Sequence, residues 1–186
     1  MPAPEKVKKD PALGFEVVHG ELRDAQFPSE QFDVITAAEL SEHLPDPRAE
    51  LQEIARLLRP GGLFWTTTPN ARGLAARVLG LRWRCISPPE HLQLFSVHGL
   101  KSLMLDVGFR EIRLQTTGSN PIEIWNAARS KKAPVTIEQH YDRVLTSYHL
   151  NESLMKSRPR RALKNVLNSV LNASRLGDSL KVLATR

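Results

Sequence analysis

Three side chains able to do chemistry fall close together: Glu39, Glu42 and His43, at positions i, i+3 and i+4. A helical turn there would put all three on one face. Two carboxylates and an imidazole can ligate a divalent cation, carboxylates favouring Mg²⁺ or Mn²⁺ and imidazole a softer metal. Without a metal, His43 is a candidate general base, because imidazole has the unperturbed pKa nearest neutral pH. His91, in a second loop, is the other candidate. A capping or hydrogen-bonding role would also account for each of these residues. His19, His98, His140 and His149 have no comparable placement and are assigned no role.

These residues lie within an apparent βαβ unit, Phe32 to Asn70. Phe32–Ala37 and Gly62–Thr68 are apolar runs of strand length. Asp46-Pro47 between them is a good helix start, a capping side chain followed by proline at the first helical position. Leu51, Ile54, Ala55 and Leu58 then make one apolar stripe at i, i+3, i+4 and i+7, and Pro60-Gly61-Gly62 stops the helix. Strand, crossover helix and strand imply parallel neighbours in a sheet. Ligands of such sheets sit at the carboxyl ends of the strands. Here those ends are Ala37 to His43 and Thr67 to Asn70.

The pattern FDVI…E-x-x-E-H-L-x-D-P…L-L-R-P-G-G…T-x-P-N resembles the second half of class I S-adenosylmethionine-dependent methyltransferases. It is most similar to the branch holding ubiquinone-pathway O-methyltransferases and small-RNA terminal-ribose methyltransferases. The resemblance continues through Glu90-His91-Leu92-Gln93-Leu94-Phe95-Ser96 and Leu103 to Phe109, and covers roughly residues 15–117. It implies an α/β, Rossmann-like sheet and S-adenosylmethionine as methyl donor. Glu21 and Leu22 stand where relatives contact adenine, and Ala37 and Ala38 where relatives pass close to the methionine part. The small-RNA enzymes carry a metal-binding histidine in a segment like Glu90 to Ser96, so the resemblance adds His91 to Glu39, Glu42 and His43 as a ligand set. Mg²⁺ or another divalent cation held there would bind substrate hydroxyl oxygens and lower their pKa. Thr68, Pro69 and Asn70 would shape the substrate side. Trp83 and Trp125 could stack on a planar substrate or sit half-buried in the core.

The sequence departs from the family at its start. The family's first strand ends in a glycine-rich turn that lets the cofactor approach the backbone, and its second ends in a ribose-binding acid. No G-x-G-x-G occurs in these 186 residues, and Met1 stands roughly where the ribose-binding acid should be. The chain is therefore expected to begin after the second strand, as a sheet lacking its first two strands. The Gly14–Gly20 and Phe32–Ala37 strands would then lose their neighbours, leaving unpaired backbone groups. Three outcomes are open: Phe15–His19 re-pairs with Phe32–Ala37, another chain or a second copy covers the edge, or the isolated chain is poorly stable.

Elsewhere, Glu5–Asp10 offers a short helix, Glu21–Gln31 a loop, Ala71–Gly80 a helix and Leu81–Pro89 a loop. Ser96 caps a helix whose stripe is Leu100, Leu103, Met104 and Val107, and Gly108 ends it. Phe109–Thr117 is a strand. Thr136–Leu150 and the stretch after Arg158-Pro159 are helical, the second with Leu163, Val166, Leu167, Val170 and Leu171 on one face. Ser179–Thr185 is a final strand. In the resembled fold it runs antiparallel beside the fifth strand and forms a hairpin with the sixth. The expected organisation is thus a partial methyltransferase α/β domain (1–126), a basic helical insertion (127–176) and a last strand returning to the sheet (177–186).

The totals narrow the class. The length suits one domain with a core. Cys85 is the single cysteine, so no intramolecular disulfide forms and a reducing, cytoplasmic setting is the simple reading. No stretch is long and apolar enough to span a bilayer. Residues 1–126 carry 14 Lys/Arg against 16 Asp/Glu, while residues 127–186 carry 12 against 4. The strongest basic cluster, Arg158, Arg160, Arg161 and Lys164, could meet an anionic membrane or nucleic-acid phosphates. Alternatively its apolar face packs on the domain and its basic face is solvated. The leading expectation is methyl transfer from S-adenosylmethionine to an oxygen of a small-molecule or RNA acceptor. The alternative is a non-catalytic, methyltransferase-like binding or dimerisation module, favoured by the absent glycine-rich loop.

Overall fold

The computed structural model describes residues 8–10, 15–18, 20–118, 124 and 158–186. Four strands make the main sheet: β3 (Phe32–Ala38), β4 (Leu58–Pro69), β5 (Arg110–Thr117) and β6 (Ser179–Thr185), in the order β3-β4-β6-β5. β3 and β4 are parallel, and β6 runs antiparallel between β4 and β5. The open α/β sheet and the place of its last strand are those expected. β1 (Lys8–Asp10) and β2 (Phe15–Val17) instead form a separate antiparallel pair. One expectation is thereby corrected, and one of the three open outcomes is closed. The Glu5–Asp10 helix gives way to a strand over Lys8–Asp10, and Pro11 helps explain why, since the residue before proline is pushed out of the helical region. Phe15–Val17 takes its hydrogen bonds from β1 and does not re-pair with β3. Among the described residues, β3 has no strand on its outer side.

Helix α1 (Pro47–Leu57) crosses between β3 and β4. Asp46 caps it, its Oδ1 accepting from the Ala49 amide at 3.0 Å. Leu51, Ile54, Ala55 and Leu57 are its buried residues. The helix ends at Leu57, earlier than Pro60-Gly61-Gly62 would stop it. Leu58 is already extended and pairs with Phe32, so it enters the core as the first residue of β4. The register then jumps, Val34 facing Leu63, and the bulge takes up Arg59 to Gly62 with Gly61 at φ +75°.

The core lies where α1 and α3 (Val97–Asp106) cover the sheet. Ser96 Oγ caps α3 by accepting from the Gly99 amide at 3.1 Å, and Leu100 and Met104 are its buried residues. They join Leu58, Phe64, Phe109, Leu180, Val182 and Ala184, with Phe64 stacked on Phe109 at 5.4 Å between centroids. Full burial of each large side chain contributes roughly 1.5–3 kcal/mol. A second cluster gathers Ala75, Leu79 and Trp83 around helix α2 (Leu74–Leu79), a shorter helix than Ala71–Gly80.

Helix α4 (Arg158–Ala173) attaches to β5 in an unexpected way. Of the apolar stripe, Leu171 is buried, but Val166 and Val170 are 62% and 59% exposed and Leu167 is exposed as well. The expected packing of that stripe on the domain is not made among the described residues. The contact is polar. Asn172 Oδ1 accepts from the Thr116 amide at 2.9 Å, Asn168 Oδ1 from the Gly118 amide at 3.3 Å, and the Leu171 carbonyl from Thr116 Oγ1 at 2.9 Å. Four helical residues rise about 6 Å and two strand residues about 6.6 Å. Asparagines four apart therefore meet strand amides two apart, and the helix covers an edge that would otherwise be open. The Thr136–Leu150 helix, Trp125 and the whole 127–157 stretch lie outside the described residues. No helix among the described residues is long and apolar enough to cross a membrane.

Candidate functional site

The chemistry-bearing residues stand at the carboxyl ends of β3 and β4. The chain leaving β3 does not form one helical turn over Glu39 to His43. Glu39 takes a left-handed conformation, φ +50°, and only Ser41–His43 makes a 3₁₀ turn. The single helical face expected for Glu39, Glu42 and His43 is therefore absent.

Three consecutive threonines of β4 hold this turn. Thr66 Oγ1 donates to the Ala37 carbonyl at 2.7 Å. The Glu39 amide donates to the Thr67 carbonyl at 2.9 Å and reaches Thr67 Oγ1 at 3.3 Å. Thr68 Oγ1 donates to Glu42 Oε2 at 2.9 Å. The sequence alone gives Thr66 and Thr67 no individual role, because their partners lie near residue 40, at the end of another strand. The signal available was the run Thr66-Thr67-Thr68 at a strand end, unusually hydroxyl-rich for a buried segment.

Glu42 is the junction. It is 1% exposed, and besides the Thr68 bond its main-chain carbonyl accepts from the Leu92 and Gln93 amides at 2.8 and 3.0 Å. The turn after β3 is thus tied to the loop that carries His91. His43 Nδ1 lies 2.7 Å from the Glu90 carbonyl, and His91 Nδ1 lies 2.9 Å from the Cys85 carbonyl. A carbonyl oxygen only accepts, so each Nδ1 carries a proton, and in its neutral form each ring presents an Nε2 lone pair. The two rings meet edge to face, 4.8 Å between centroids. Glu42, His43 and His91 each bring a ligand-type atom within 4.8 Å of the others. Imidazoles anchored through one nitrogen to a carbonyl are the usual form of metal-binding histidine.

Glu39 stands beside this cluster rather than in it. Glu39 as a whole residue is exposed, but partial desolvation of its carboxyl raises its pKa, with the Glu42 charge adding to the rise, while the Thr67 hydrogen bond and the His91 charge oppose it. Burial likewise pushes the Cys85 thiol up to about 11.

The other anticipated residues are distributed as follows. Ala37 is buried and Ala38 exposed at the end of β3. Glu21 is exposed and its amide donates to Asp24 Oδ2, at the head of a 3₁₀ turn (Leu22–Ala25). Leu22 is half-buried against the core cluster that includes Ala37. Trp83 is a core residue. Asn70 is turned into the fold: its Nδ2 donates to the Arg175 and Gly177 carbonyls at 3.2 and 2.7 Å, and its Oδ1 accepts from the Arg72 amide at 3.1 Å.

Comparison with known proteins gives this geometry a context. A family model described as a methyltransferase domain matches residues 3–114. The chain belongs to the class I S-adenosylmethionine-dependent methyltransferase family. Among similar curated proteins is the ubiquinone biosynthesis O-methyltransferase of Parvibaculum lavamentivorans, 32% identical over 107 residues, 54% of this chain and 42% of that protein. The protein of the same name from Thiobacillus denitrificans is 38% identical over 74 residues, 39% of this chain and 32% of that protein. The methyltransferase domain thus spans less than half the length of these relatives. Two solved structures share its fold. A SAM-dependent methyltransferase of Thermotoga maritima has a TM-score of 0.50 at 15% identity, covering 86% of this chain and 58% of its own. One from Archaeoglobus fulgidus has a TM-score of 0.50 at 14% identity, covering 87% and 62%.

Proposed function

We propose that this methyltransferase domain transfers a methyl group from S-adenosylmethionine to an oxygen of an acceptor, a small molecule or an RNA. The observation that carries the reading is the pair of histidines at one strand end, each with Nδ1 engaged by a carbonyl. S-adenosylmethionine would supply the electrophilic sulfonium methyl. His43 or His91 would take the acceptor's proton through Nε2, and holding the acceptor in line supplies much of the rate. Ala37 and Ala38 present small side chains where the backbone must come close to the donor. Glu21 and Leu22 would flank the adenine, Leu22 through the edge of the core on which it packs.

A divalent cation fits the same group. Glu42, His43 and His91 offer one carboxylate and two imidazoles, a set better matched to Mn²⁺, Zn²⁺ or Co²⁺ than to Mg²⁺. Glu39 would complete it only by swinging from its place beside Thr67. A cation there would lower the pKa of an acceptor hydroxyl.

The open β3 edge supports a second reading, in which the domain is a binding or dimerisation module whose edge a partner covers. The basic start of α4 would add contact with an anionic surface, and residues 127–176 would form an insertion carried by the 1–126 domain and the 177–186 strand. Calorimetric titration of the full chain with S-adenosylhomocysteine separates the readings. Micromolar binding is expected for the enzyme. No heat at millimolar ligand, together with a concentration-dependent dimer in ultracentrifugation, would overturn it in favour of the module.

A further inference from the structure

A cavity of about 230 Å³ lies on the sheet face under α3, lined by Val97, Lys101, Ile112, Leu114, Thr116, Asn172 and Arg175. Three elements make it. Val97 and Lys101 are one turn apart on α3, Ile112, Leu114 and Thr116 share one face of β5, and Asn172 and Arg175 close it from the end of α4. Val97, Ile112 and Leu114 are half-buried against the main core and give the cavity the smaller, apolar part of a mostly polar lining. The polar groups at its rim are donors. Asn172 Oδ1 is occupied by the Thr116 amide, which leaves the side-chain NH₂. The Thr116 hydroxyl is used twice, donating to the Leu171 carbonyl and accepting from the Gly177 amide. Among the described residues, Lys101 and Arg175 make no ion pair and no carboxylate lines the cavity.

We propose that this cavity binds a small organic anion, one carboxylate or phosphate head on a short apolar body. Two cations facing one space with no counter-charge among the described residues, plus an amide donor, select an anion by charge-assisted hydrogen bonds. Val97, Ile112 and Leu114 add a small apolar surface on which a short apolar body can rest. The volume falls below the roughly 300 Å³ of the smallest drug-sized pockets, so the ligand is a small metabolite rather than a peptide or a nucleotide. The site is separate from the Glu42, His43 and His91 group, and the proposal does not rest on methyl transfer.

The test is an amide-resolved NMR titration of the full chain at low ionic strength with hexanoate, inorganic phosphate and hexan-1-ol. Saturable shifts with hexanoate at Lys101, Ile112 and Leu114, with a dissociation constant on the order of 1 mM, are expected. Phosphate should bind more weakly and hexanol not at all. Lys101→Met keeps the stem and removes the charge. Arg175→Asn suits the left-handed backbone there, φ +57°. Each should weaken hexanoate about tenfold while leaving the remaining amide resonances in place. Should Arg175→Asn unfold the chain, Lys101→Met decides alone. Absence of saturation, equal binding of hexanol or of phosphate, or unchanged affinity in Lys101→Met would each overturn the proposal.

Discussion

The Thr68–Glu42 contact predicts a large effect from a small change. Thr68→Val replaces a hydroxyl by a methyl of nearly the same volume, so it opens no cavity and leaves the strand's β-branched character intact. What it removes is the donor to Glu42 Oε2, in a setting where Thr68 is fully buried and Glu42 is 1% exposed. A hydrogen bond to a charged group contributes about 1.5–3 kcal/mol. Leaving a buried acceptor without its donor costs about 1–3 kcal/mol, and more when the acceptor is charged. A loss of about 3 kcal/mol is therefore expected. With a urea slope of about 2 kcal/mol per molar, that lowers the unfolding midpoint by about 1.5 M. Thr66→Val is the internal control. It lies two residues away on the same face of β4, is equally buried, and donates to the neutral Ala37 carbonyl, so about 1 kcal/mol should be lost. Thr68→Val combined with Glu42→Met removes both partners and should recover part of the loss, a coupling that a double-mutant cycle reads directly. If Thr68→Val and Thr66→Val unfold at the same urea concentration, Glu42 does not depend on Thr68 and the reasoning fails.

Other substitutions probe the remaining contacts. A Cβ on Gly177 would stand 2.5 Å from the Thr116 carbonyl carbon and overlap the Thr117 amide. Both are main chain and cannot move aside, so Gly177→Ala should cost about 3 kcal/mol, and a melting temperature equal to the parent's would refute the close approach. Replacing Asn168 and Asn172 together by Leu leaves the Thr116 and Gly118 amides without their helix partners. Concentration-dependent association by light scattering is expected; a monomer at all concentrations would mean the helix is not what guards that edge. Cys85, with its thiol pushed up to about 11, holds about one thiolate in a thousand at pH 8. Iodoacetamide should label it slowly in the native chain and quickly in urea, and rapid native labelling at pH 8 would contradict its half-buried setting and raised pKa.

The stretch from Phe32 to Asn70 was legible because its signals are local. Asp46-Pro47 caps and starts a helix whatever surrounds it, and the stripe of Leu51, Ile54 and Ala55 names its buried face. The order β4-β6-β5 came from resemblance, since nothing in Ser179–Thr185 says which strand it joins. The misreadings share a cause: distant partners decided them. Leu58 fits the helical stripe, yet pairing with Phe32 makes it strand. Glu39 has the spacing for a helical turn, but its N–H donates to the Thr67 carbonyl on the neighbouring strand from a left-handed backbone. Along α4 the eye follows Val166, Leu167 and Val170, whereas Asn168 and Asn172 make the attachment, because an edge strand offers amides rather than apolar surface.

The two edges of the sheet also bear on how the site should be understood. Evolution of a stable monomer needs both edges managed. At β5 the device is internal, a helix whose asparagines stand in for a neighbouring strand. At β3 none is built from the described residues, and β3 is the strand that delivers Ala37, Ala38 and Glu39 to the site. Whatever lies against that edge therefore sits next to the residues proposed to receive the methyl donor. Glu42, by contrast, is fixed from the other side, by Thr68 on β4 and by the Leu92 and Gln93 amides. The histidine pair is thus ordered without help from the open edge. The two halves of the proposed reaction then depend on different parts of the molecule: the acceptor side on contacts already complete, the donor side on what covers β3.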